Sequence, residues 1–158
     1  MRTRVFIWGL IVVMSRDALS LPLLAGEGGG RAEYVGGTAA ALPGKVGGVI
    51  HTTDNQLFLF RTKGGTVYIP YSRINLLEYG QKVDRRYALA ILVSPVLLLS
   101  KARKHFLTIG YTDEQGRQQA MVFQVNKSDV RSVLVSLEAR TGRKVQYQDE
   151  EARKAGKG

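Results

Sequence analysis

The sequence predicts a mainly β domain of the α+β kind, a small antiparallel barrel or sandwich capped by a C-terminal amphipathic helix. Three observations carry this. From Gly44 the chain runs in short stretches rich in Val, Ile, Phe, Tyr and Thr, broken by the turn-forming pairs Asp54-Asn55 and Gly64-Gly65. The apolar period then lengthens in NKSDVRSVLVSLEARTG, where Val130, Val133, Leu134 and Leu137 stand at i, i+3, i+4 and i+7. With 158 residues, 44% of them hydrophobic and 23% charged, the chain has the length and composition of one domain with its own core.

Taken in order, MRTRVFIWGLIVVMSRDALS places Arg2 and Arg4 before an apolar run from Val5 to Met14 and small residues at Ala18 and Ser20. That is the order of a secretory signal, and LPLLAG supplies a second cleavage pattern ending at Ala25. As a helix the apolar run spans about 15 Å against a bilayer core of about 30 Å, so a removable signal over residues 1–25 is preferred to a permanent anchor. Residues 26–43, GEGGGRAEYVGGTAAALP, hold so much glycine that the reading is a flexible lead-in, with at most a short strand at Tyr34 and Val35. The folded domain is expected over 44–147.

Within it, Leu57 and Leu59 point to one side of a strand while Phe58 and Phe60 point to the other, and Pro70 belongs at an edge or a bend. KHFLTIGYTD and RQQAMVFQVN, joined by a turn at Gly116, read as a hairpin. Phe106, Thr108 and Gly110 alternate there with Leu107, Ile109 and Tyr111, and Met121, Phe123 and Val125 share a face. For the helix, Asn126 or Ser128 can cap the start, Asp129 and Arg140 suit the two ends of the dipole, and Gly142 can close it. KVQYQ adds a brief extended piece, and 148–158 reads as a solvated charged tail.

Little catalytic equipment is visible. The chain has no cysteine, which removes thiolate nucleophiles and thiolate metal sites, and its two histidines, His51 and His105, have no carboxylate at metal-ligand spacing. None of the glycine clusters combines strand, spacing and Lys-Ser or Lys-Thr as a phosphate-binding loop requires. The expectation is therefore no enzyme, no catalytic residue, no metal and no cofactor, an enzyme without a recognisable motif being the weaker alternative. A formal charge of +10 instead draws the protein to anionic surfaces: acidic lipid headgroups, envelope polymers or nucleic acid.

The charge concentrates around RRYALAILVSPVLLLSKARK. Lys82, Arg85, Arg86, Lys101, Arg103 and Lys104 flank its apolar part, with Asp84 alone opposing them. Ala88 to Leu99 is too short to span a bilayer, and Pro95 interrupts it. Leu92, Val93, Pro95, Val96 and Leu97 are then either core packed on the barrel, an apolar knob inserting among lipid tails, or a docking surface for a protein partner. An anionic membrane surface or a protein partner follows from this; nucleic acid ranks below both for a chain with an export signal and no recognised nucleic-acid motif.

In GGVIHTTDNQLFLFRTKGGTVYIPYSRINLLEYG the strand pair and the IPYSRI that leads into the next strand make the chain resemble the pleckstrin-homology-like superfamily, in its GRAM and bacterial forms. The resemblance covers roughly residues 44 to 142 by order of elements. Its positions have physical reasons: Thr52, Thr53 and Asp54 make a turn, Leu57 and Phe60 supply core, Ile69 and Ile74 bracket the Pro70 bend. It implies a non-catalytic binding module for membranes or peptides; the signal pattern of the first residues adds the expectation of export to the periplasm or cell envelope, with the cytoplasmic membrane surface as the alternative. No inositol-phosphate motif matches residue by residue, so headgroup specificity is not implied.

Overall fold

Alternating apolar side chains commit about half of the described residues to extended backbone, and glycine-bearing turns decide where the chain reverses. The computed structural model describes residues 28–38, 42, 44–82 and 104–157. Among them are strands β1 (Gly29–Gly37), β2 (Val46–His51), β3 (Leu57–Thr62), β4 (Gly65–Pro70), β5 (Ile74–Gly80), β6 (His105–Thr112), β7 (Gln118–Val125) and β8 (Gln146–Tyr147). Helices α1 (Val130–Thr141) and α2 (Glu150–Lys157) complete the order, with a 3-10 turn at Tyr71–Arg73. The strands form one mixed sheet in the order β4-β3-β2-β1-β7-β6-β5-β8. Its pairs are antiparallel except the short parallel contact of β5 with β8.

The sheet curls. In a flat sheet β3 and β7, with β2 and β1 between them, stand about 14 Å apart at three strand spacings. Yet the Phe60 and Phe123 rings meet edge to face at 4.9 Å between centroids, and Phe58 reaches Phe123 at 5.9 Å. Inward residues of both halves, among them Ile50, Phe58, Phe60, Leu107, Ile109 and Phe123, therefore share one buried cluster. Gly48 makes the tight approach possible, because a Cβ there would overlap the Arg61 carbonyl oxygen and lie 2.8 Å from the Phe60 ring.

α1 closes this cluster with the predicted stripe: Val130, Val133, Leu134 and Leu137 are all buried in it. Gly142 takes the left-handed conformation (φ 67°) that ends the helix and donates its N–H to the Glu138 carbonyl. The start differs from expectation. Asp129 occupies the N-cap position rather than Asn126 or Ser128, and its carboxylate accepts the Arg31 N–H at 2.8 Å and the Ser128 hydroxyl, tying the helix to β1.

Three further differences have physical reasons. The glycine-rich stretch at 29–37 is a nine-residue strand rather than a short one, and it sits mid-sheet, paired with both β2 and β7. Long-range pairing on both sides outweighs the low strand propensity of glycine. Residues 150–157, read as solvated tail, form α2 with Ala152 and Gly156 buried; a Cβ on Gly156 would press on Tyr147 at 2.7 Å. Leu57 is an outward, half-buried residue, and its neighbour Phe58 takes the core place. Pro70 lies where a missing donor is tolerated, at the end of edge strand β4.

The face of β5, β6 and β7 turned away from the core is also buried, with apolar and polar side chains together. Glu78, Thr108 and Val122 follow one another across the strands in register, and Val122 is 0% exposed. Phe106, one pleat along β6, is 4% exposed, and Glu78 accepts a hydrogen bond from Gln148 at 2.9 Å.

Candidate functional site

Strand register brings the basic residues together. Gly80 pairs with Phe106, so Lys82 beyond β5 and Lys104 before β6 stand at adjoining ends of this antiparallel pair. His105 pairs with Val125, which sets Lys127, just past β7, on the same rim. Of the sequence-predicted surface, Lys82 and Lys104 are thus placed side by side. Arg85, Arg86, Lys101 and Arg103, with Leu92, Val93, Pro95, Val96 and Leu97, lie outside the described residues. So does the expected signal segment 1–25.

His105 stands inside this rim. Partial burial, and then the positive charge of Lys127, holds its imidazole below the usual histidine range. Tyr79, pushed up to about 12 by burial and by the neighbouring Tyr147, keeps its proton and shares a hydrogen bond with His105 Nδ1 at 2.5 Å. Both causes disfavour a cationic His105, so the rim's positive charge rests on its lysines.

A second basic surface lies on the outer side of β1, β2 and β3. A concavity of about 620 Å³ is lined there by Arg31, Arg61 and Lys63, by Glu33, and by Gln124 and Asn126. Gly47 leaves its floor open, since nothing lies within 4 Å of a Cβ built there. The Gln124 Oε1 atom is buried without a hydrogen-bond partner, and no carboxylate among the described residues forms an ion pair with Arg31, Arg61 or Lys63.

Other cations are spent on structure. Arg140 donates from Nε to the Thr52 carbonyl and from Nη2 to that of Thr53, both at 3.1 Å, and also bonds Asn55, while Arg143 donates to the Ile74 carbonyl at 2.6 Å. The Thr52–Asp54 turn is closed by Asp54 itself, whose carboxylate accepts the N–H groups of Gln56 and Leu57 at 2.7 Å each. His51 is half-buried on β2. Among the described residues no cluster of His, Asp and Glu is placed to hold a metal ion. No described helix is long and apolar enough to cross a membrane.

Reading the sequence alone missed Arg31, Arg61, Lys63 and Lys127. They are scattered over almost a hundred positions, and only the register of β1 between β2 and β7 shows that the first three share a face. No protein-family model matches the chain, and no curated protein matches it either.

Proposed function

We propose that the protein is a non-catalytic binding module of the pleckstrin-homology-like kind that docks on an anionic surface, with an acidic membrane as its target. The order of elements supports the family reading: seven strands curl round one core, and a helix with a single apolar stripe follows and closes it. The observation that carries the functional reading is the meeting of Lys82, Lys104 and Lys127 on one rim. Such a cluster pays off at a charged membrane, where each cation near the surface contributes about 1 kcal/mol. With the export signal expected in the first residues, the proposed membrane is the periplasmic or envelope one, with the cytoplasmic surface as the alternative.

Sedimentation with phosphatidylglycerol and with phosphatidylcholine vesicles tests this. The protein is expected to bind the first and not the second, and to release as salt shortens the screening length. Reversing Arg85, Arg86, Arg103 and Lys104 to glutamate is expected to abolish binding while leaving the far-ultraviolet circular dichroism unchanged. Equal binding to both lipids would overturn the reading, and a salt-dependent gel shift with single-stranded oligonucleotide without vesicle binding would replace it with a nucleic-acid one.

A further inference from the structure

We infer that the outer face of β1 to β4, carrying Arg31, Arg61, Lys63 and the exposed ring of Tyr68, is the surface that lies against the acidic membrane, in continuity with the Lys82–Lys104–Lys127 rim. This rests on the membrane reading above and gives it a surface.

The register supplies the geometry. Arg31 pairs with Val49, and Val49 with Arg61, which in turn pairs with Thr66. On the other side, Asn126 donates its N–H to the Arg31 carbonyl, and Lys104 stands next across β6 by continuation of the His105–Val125 pair. One line across the strands therefore reads Lys104, Asn126, Arg31, Val49, Arg61, Thr66. Every second position is a cation, and with strands about 4.8 Å apart successive cations are spaced by about 10 Å. Alternation puts all of them on the outer side, because Ile50, Phe60, Val125 and Leu107 are buried in the core on the inner side.

The next line carries an apolar anchor. Tyr68 pairs with Leu59, two residues from Arg61, and is 58% exposed on the edge strand. A tyrosine ring beside cations suits the headgroup level of a bilayer, where its body is sheltered and its hydroxyl stays wet. The opposing acids are few. Glu33 lines the concavity, and the Asp129 carboxylate is already engaged by the Arg31 N–H and the Ser128 hydroxyl. Strand binding by nucleic acid draws on successive aromatic platforms. Among the described residues Tyr68 and Val135 are the large hydrophobics that stand well exposed, and Tyr68 alone is aromatic. That leaves one platform, which favours a membrane.

The test is sedimentation of the full chain with phosphatidylglycerol vesicles, beside three variants with unchanged circular dichroism. Arg31→Gln with Arg61→Gln is expected to lower the partition coefficient about 30-fold, roughly fivefold for each cation removed. Tyr68→Ala is expected to lower it several-fold, and by a ratio that does not shrink as salt is raised, because its contribution is apolar. Lys82→Gln with Lys104→Gln is the comparison at the rim. If the parent protein binds and the rim variant loses binding while the arginine pair and Tyr68→Ala stay within twofold of it, this surface is wrong and the membrane reading stands. If the parent protein fails to bind acidic vesicles, the reading itself falls; an oligonucleotide gel shift lost in the arginine pair would then assign the face to nucleic acid.

Discussion

His105 shows what a single residue contributes here. Its pKa in the folded protein lies below the ordinary value of about 6.5, so the unfolded chain binds its proton more readily. Stability from this group is fully present above pH 6.5 and falls as the pH drops through that value towards the folded pKa. Denaturant unfolding at pH 7.5 and 5.5 is expected to show a lower midpoint at the acidic pH. In His105→Gln that part of the difference should disappear. Lys127→Gln removes one of the two causes, and the His105 titration followed by nuclear magnetic resonance is expected to move upwards. An unmoved titration would mean that burial alone sets it. None of this was legible in the sequence, where His105 is a lone histidine at a strand position. Its partner Tyr79 stands on the neighbouring strand, far away in sequence, and only pairing of β5 with β6 brings them within reach.

Among the elements, α1 was the most legible because its signal is local: four apolar residues at helical spacing find the core whatever encloses them. Leu137, the last residue of that stripe and wholly buried, is expected to cost about 2–5 kcal/mol when cut to alanine, measured by chemical denaturation. A loss below about 1 kcal/mol would show that the helix stands off the sheet. β1 and α2 were not legible, for opposite reasons. β1 is rich in glycine and is held by pairing on both sides, which no local propensity reveals. α2 buries Ala152 and Gly156, residues too small to leave an apolar pattern amid charges. Truncation after Gln148 is expected to lower the melting temperature, since it strips cover from Tyr147, Leu134 and Tyr79. An unchanged melting temperature would restore the solvated tail.

For the molecule as a whole, composition announced an excess of positive charge, and the flanks of the 88–99 segment pointed to one place where it gathers. What composition cannot convey is how a curled sheet redistributes charge. Turning Phe58 and Phe60 inward obliges Arg61 to face out, and pairing through β2 then sets it in line with Arg31. The same curl gives the β5–β7 half an outer side lined by Phe106 and Val122, so Val122→Asp is expected to unfold the protein although that residue lies outside the main core. Because the chain has no cysteine, one introduced thiol can report on one place. The most direct measurement is the emission of an environment-sensitive fluorophore on Thr66→Cys, beside Arg61, and on Glu114→Cys, on the β6–β7 turn, as phosphatidylglycerol vesicles are added. A blue shift at position 66 with none at 114, reversed by high salt, is the predicted result; a shift at 114 alone, or at neither position, would contradict membrane docking through the outer sheet face.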